Sequence, residues 1–208
     1  DVFIANSTET QKRIKKYYSR SSTVIHPPVE TSRFTPARKR GDHYVTIGRQ
    51  LPYKRYDLAV KAATKLNKKL IVFGNGPAHD QLVKLAGPTV EFRTDRFGDA
   101  SDAEYEKAIT TARGFIYPAE EDFGIVSVEA LAAGAPVIGL ARGGTTDIVT
   151  SPDIGTLFQH QTVDDIAKAI KIAEQTRFYP SKLARTAKRF DKGLFLTKIK
   201  KVVRDSIS

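Results

Sequence analysis

Gly114-Phe115-Ile116-Tyr117-Pro118-Ala119-Glu120-Glu121-Asp122-Phe123-Gly124-Ile125-Val126-Ser127-Val128-Glu129-Ala130-Leu131-Ala132-Ala133-Gly134-Ala135-Pro136-Val137-Ile138-Gly139-Leu140 is the stretch that decides the fold. Residues 114–117 are a short apolar run closed by a proline, the mark of a strand covered on both faces. An acidic loop follows, residues 125–133 read as a helix, and 136–140 form a second strand. Two strands joined through a helix run parallel, because the crossover returns the chain to the same end of the sheet.

The same unit repeats on either side. Strands are expected at residues 43–47, 70–73, 89–92 and 155–158. Leu58, Ala59, Ala62, Ala63 and Leu66 make an apolar stripe at helical spacing, as do Val163, Ile166, Ala167, Ile170 and Ala173. Residues 76–86 and 102–112 also read as helices, the latter with Asp102 as its candidate cap. Alternating strands and helices with right-handed crossovers predict an α/β, Rossmann-like, doubly wound parallel sheet. The ends differ. Residues 1–28 read as strand, helix, strand, closed by the linker His26-Pro27-Pro28. Residues 35–42 are a basic loop. Phe195, Ile199, Val202 and Val203 mark a last amphipathic helix. The expected division is therefore 1–28, 29–190 and 191–208.

The 208 residues suffice for one domain, or for one domain and part of another. There is no cysteine, which excludes disulfides, thiol nucleophiles and thiolate metal sites. No apolar run approaches the roughly 18 residues that span a bilayer. The opening residues carry no basic segment followed by an apolar one. A chain that starts directly on a strand-like run is expected to be a piece of a longer protein, the alternative being a trimmed complete domain. Lys and Arg number 34 against 23 Asp and Glu, a net charge of +11. That balance favours anionic partners without choosing among phosphates, nucleic acid and an acidic membrane face.

In an open parallel sheet, ligands sit beyond the carboxyl ends of the strands. Gly48, Arg49 and Lys54 follow the strand at 43–47. Gly74 and Asn75 follow the next, Glu120–Gly124 the strand at 114–117, and Arg142-Gly143-Gly144 the strand at 136–140. Glycines let a phosphate approach the backbone, helix N-termini offer free N–H groups, and Arg49 and Lys54 add full charges. Taken singly, each has an ordinary reading: Gly74-x-Gly76 as a turn, the cations as solvated surface, His26 as a linker residue. Glu121 and Glu129 are more specific. One lies in the loop and the other about a turn into the helix, so both can face one ligand. No Asp-x-Asp or His pair at ligand spacing is present, and no metal site is expected.

With these residues in hand, nearly the whole chain resembles the retaining, two-domain glycosyltransferases of family 4 (group 1), which have the GT-B fold. The stretch from Tyr117 to Ile138 is similar to that family's central motif, Gly48-Arg49 with Lys54-Arg55 to its phosphate loop, and Arg142-Gly143-Gly144 to its later glycine-rich turn. Ala5-Asn6-Ser7 and Val24-Ile25-His26-Pro27-Pro28-Val29 with Arg33-Phe34 resemble the end of the acceptor domain and the linker. Asp147 stands where the family more often has glutamate.

The resemblance implies roles. Arg49 and Lys54 would hold the donor diphosphate. Glu129 would accept the ribose diol, and Glu121 would place the donor sugar. Backbone N–H groups of Phe123, Gly124 and Ile125 would meet sugar and phosphate. Gly74, Asn75 and Arg93 would lie near the base. It also implies transfer of a hexose from a nucleotide sugar with retention, without a cofactor. The linker and Glu121–Ile125 resemble members acting on lipid-linked saccharides with mannose, which favours GDP-mannose over a UDP-hexose. A cytoplasmic protein, peripheral on an anionic membrane face, is the corresponding expectation. With the acceptor domain missing, binding without turnover is expected. Nucleic acid is not expected as a partner. The rival readings are a nucleotide-sugar epimerase of the same fold and a non-catalytic phosphate- or nucleic-acid-binding module.

Overall fold

The computed structural model describes residues 2–93 and 102–207. Six parallel strands form the main sheet: β3 (His43–Ile47), β4 (Lys69–Phe73), β5 (Val90–Arg93), β6 (Gly114–Tyr117), β7 (Val137–Leu140) and β8 (Gly155–Phe158). Their spatial order is β5-β4-β3-β6-β7-β8, all neighbours parallel. That is a Rossmann-like order, with the direction of progression reversing between β3 and β6.

The side chains alternate across the pleat. Tyr44, Leu70, Val72, Ile116 and Ile138 point into one core layer, covered by α2 (Tyr56–Lys65), α3 (His79–Leu85) and α7 (Val163–Gln175). Val45, Phe73, Phe115, Tyr117 and Val137 point into the other, covered by α4 (Asp102–Thr111), α5 (Ile125–Ala132) and α8 (Pro180–Ala187). β6 and β7, in the interior of the sheet, are buried at every position because both faces are covered.

Small corrections to the expected elements have local causes. The strand expected at 136–140 starts at Val137, since a proline cannot donate into the ladder. The helix expected over 76–86 is only His79–Leu85. Its intended first turn is occupied elsewhere: Ala78 N–H donates to Gln50 C=O at 3.0 Å, and Asn75 C=O accepts from Gln50 N–H at 2.8 Å. The short α6 (Thr145–Ile148) and α8 were not expected. The side chain of Asp102, the cap expected for α4, lies outside what the structure describes.

The tail forms its own unit. β1 (Ile4–Ala5) and β2 (Thr23–Val24) pair in parallel, joined by α1 (Thr8–Tyr18), which Ser7 caps by accepting from Thr10 N–H at 3.1 Å. No α1 residue is buried, and none in the final helix α9 (Lys192–Ile207). Val29 and Asp191 run side by side as a parallel bridge, with Thr31 Oγ1 donating to Asp191 Oδ2 at 2.6 Å.

Candidate functional site

The helices after β3 and β6 leave for opposite faces of the sheet, α2 to one and α5 to the other. The loops preceding them therefore part at the carboxyl edge and open a crevice. A cleft of about 550 Å³ lies there. Tyr53 and Lys54 line it from the turn after β3, residues 120–126 from the loop after β6, and Asn6 and Pro27 from the tail.

Two glycine contacts shape the wall. Gly124 caps α5 with φ 91°, a left-handed conformation, and a Cβ there would meet the Tyr117 ring at 2.9 Å. Gly144 N–H donates to Glu121 C=O at 2.9 Å, and a Cβ on Gly144 would fall on the Phe123 backbone. The glycine pair after β7 thus backs the Glu121 loop closely. The Ile125 and Val126 N–H groups that open α5 have no helical acceptor, and Gly124 has no side chain to take one, while Ser127 N–H donates to Gly124 C=O at 2.9 Å.

Glu121 is the electrostatic centre. Its Oε1 accepts from Lys54 Nζ at 3.0 Å and from Tyr53 Oη at 3.1 Å, and its Oε2 accepts from Tyr117 Oη. Burial pushes its carboxyl pKa up, but the hydrogen bonds from Tyr117 and Lys54 outweigh burial, and the carboxyl titrates below its usual range. Burial first, and then the Glu121 charge, raise the Tyr117 hydroxyl well above an ordinary phenol. The site thus presents an ionised carboxylate, a lysine beside it and two tyrosine donors.

The other expected residues fall in five places. Gly48 and Arg49 stand with Lys54 on the β3 side, and the Arg49 side chain is exposed, with no ion pair among the described residues. Phe123, Gly124 and Ile125 line the cleft. The Phe123 ring itself is buried, stacked on His26 at 5.3 Å and edge-on to Phe190 at 5.4 Å, so its backbone is what it offers a ligand. Glu129 sits deeper on α5, outside the cleft lining, where Oε2 accepts from Tyr105 Oη at 2.9 Å. Gly74 and Asn75 brace the β3 loop: Gly74 C=O accepts from Gln50 Nε2 at 2.6 Å. Arg93 is not brought to the cleft. It pairs with Glu91 at 2.7 Å and Glu104 at 3.5 Å beside a separate cavity of about 330 Å³.

Sequence reading missed Tyr53, Asn6 and Pro27 as cleft residues, and the buried Tyr117 as a donor to Glu121 from behind it. It also missed what Asp147 does. That carboxylate accepts from Thr8 N–H at 2.7 Å, from Thr8 Oγ1, and contacts His26 Nε2 at 3.0 Å, fastening the tail to α6. Arg13 Nη1 adds an ion pair to Asp122 at 2.6 Å.

The family described as Glycosyl transferases group 1 matches residues 28–190. D-inositol 3-phosphate glycosyltransferases of Mycobacterium bovis and Mycobacterium tuberculosis are 29% identical over 192 residues, 82% of this chain and 40% of theirs. The chain thus spans about two-fifths of the length of these curated relatives. Among solved structures, Anabaena HepE in complex with UDP and glucose superposes with a TM-score of 0.82 at 19% identity, covering 98% of this chain and 62% of that one. Sucrose-phosphate synthase from Thermosynechococcus elongatus gives a TM-score of 0.83 at 20% identity, over 98% and 58%. These likenesses establish a GT-B-type Rossmann-like fold. As the matched region 28–190 is most of the sequence, the chain belongs to the group 1 glycosyl transferase family.

Proposed function

We propose that this chain is the donor-binding part of a retaining glycosyltransferase, which takes a hexose from a nucleoside diphosphate sugar. One observation carries the reading: Lys54, the ionised Glu121 and the N-terminus of α5, which no side chain caps, share one cleft at the strand-order reversal. Cleaving a sugar–phosphate bond builds negative charge on the departing diphosphate and positive charge on the sugar. Lys54, Arg49 and the α5 amides would stabilise the first, and Glu121 would hold the sugar hydroxyls beside it. Glu129 would take the ribose diol, giving up or sharing the Tyr105 contact. The solved relative holding UDP and glucose supports a nucleotide-sugar ligand. GDP-mannose and UDP-glucose are the two donors to test, a saccharide or lipid-linked saccharide being the proposed acceptor. The +11 charge suits work at an anionic cytoplasmic membrane face.

Titration calorimetry with GDP-mannose, UDP-glucose and the free diphosphates tests this. One donor is expected to bind, and Glu129→Ala to weaken it roughly tenfold or more, the usual loss for a hydrogen bond to a charged group. Lys54→Met is expected to weaken the free diphosphate by a similar factor. Binding that falls steeply with salt and ignores Glu129→Ala would instead mark a general phosphate-binding module.

A further inference from the structure

Three donors hold the Glu121 carboxylate, and two of them are accounted for by burial. The Tyr117 hydroxyl is interior and needs an acceptor, and the Lys54 side chain is only 15% exposed. Tyr53 is different. It is 54% exposed, and water could satisfy its hydroxyl at no cost, yet that hydroxyl points to Glu121 Oε1 at 3.1 Å. Tyr53 and Lys54 belong to one 3-10 turn, Pro52–Lys54, closed by Arg55 at φ 54°. The turn delivers both neighbours to the same oxygen, from the open side of the cleft.

That sharing has a consequence when an anion arrives. Lys54 then has a second, more highly charged partner. As it moves toward a phosphate, Oε1 loses its cation, and Tyr53 is the donor left on that oxygen. A carboxylate offers about four lone-pair positions, so with Tyr53 and Tyr117 as the remaining donors about two stay open for ligand hydroxyls while the tyrosines fix the plane.

We infer that Tyr53 is a positioning residue that keeps Glu121 aimed at the sugar while Lys54 serves the diphosphate. This rests on the nucleotide-sugar reading above. Because Tyr53 acts through Glu121, it should matter for the sugar and not for the nucleotide, so the informative quantity is the ratio of the two affinities.

The experiment is calorimetry of the 208-residue chain and its Tyr53→Phe variant with UDP, UDP-glucose, GDP and GDP-mannose, together with thermal midpoints. For whichever pair binds, the affinity ratio of nucleotide sugar to free nucleotide is expected to fall about five- to tenfold in Tyr53→Phe. The melting midpoint should stay within about 1 °C, since an exposed hydroxyl adds little to the fold. An unchanged ratio, a parallel loss for both ligands or a midpoint drop of several degrees would overturn the role of Tyr53 and leave the donor reading standing. If the unmodified chain binds none of the four ligands, the donor reading itself fails, and this inference with it.

Discussion

Glu121 shows how a single carboxylate can be half-buried and still ionised. Desolvation favours its neutral form, but Tyr117, Lys54 and Tyr53 all donate to the charged form, and together they prevail. The sign of the pH dependence follows. A folded-state pKa held below the unfolded value of about 4.3 adds stability that is present above that value and is lost as pH falls through the folded one. Ligand binding that uses the ionised carboxylate should vanish over the same acid range, which calorimetry between pH 7 and pH 3 would record. Gly144 makes the companion prediction. A Cβ there lands on Phe123, so Gly144→Ala must displace the loop that carries Glu121. Overpacking of this kind costs about 1–3 kcal/mol, or roughly 2–12 °C of melting temperature for a chain of this size, and diphosphate binding should fall along with it. Gly143 and Gly144 were recognisable in sequence as a turn. Their contact with a loop about twenty residues earlier was not, because nothing local records a through-space approach.

At the level of elements, the strands were legible as short, mostly apolar runs between helical stretches: those expected at 43–47 and 114–117 inside the sheet and at 155–158 on its edge match the structure residue for residue. Helix α3 was misjudged because Gln50, buried between Gly74 and His79, ties down the backbone of its expected first turn. Asp147 could not be interpreted from sequence at all, since its partners Thr8 and His26 are more than a hundred residues away. Its carboxyl shows the Glu121 pattern: burial pushes its pKa up, and the hydrogen bonds from Thr8, followed by His26, bring it below the usual range. With no buried residue of its own, α1 depends on such fastenings. Asp147→Ala should therefore raise hydrogen-exchange rates of the α1 amides by about tenfold, as expected from losing hydrogen bonds to a charge, and leave the β3 and β6 amides unchanged. Equal acceleration throughout would show that Asp147 supports the whole fold and not the tail alone.

For the whole molecule, the informative feature is that the cleft belongs to two parts of the chain. Residues 29–190 supply Tyr53, Lys54 and the 120–126 loop, while the tail supplies only Asn6 and Pro27 to the facing wall. The donor machinery we propose, with its cation, carboxylates and helix amides, is thus carried on one side. Among the described residues, the tail puts no charged side chain into the lining. A group transfer also needs an oriented acceptor, and orientation is what turns a bimolecular encounter into an efficient step. With the chain spanning 40% of the length of its curated relatives, that part of the site is expected from sequence outside these 208 residues. The prediction is separable binding and turnover. The chain should bind its nucleotide sugar with Lys54 and Glu129 required, yet give no hexose transfer to added saccharide or lipid-linked saccharide when incubated with GDP-mannose or UDP-glucose and followed by mass spectrometry. Transfer above the spontaneous rate, abolished by Glu121→Gln, would show that residues 2–28 and the donor half already suffice to hold an acceptor, and would move the acceptor site onto Asn6, Pro27 and the neighbouring face of α1.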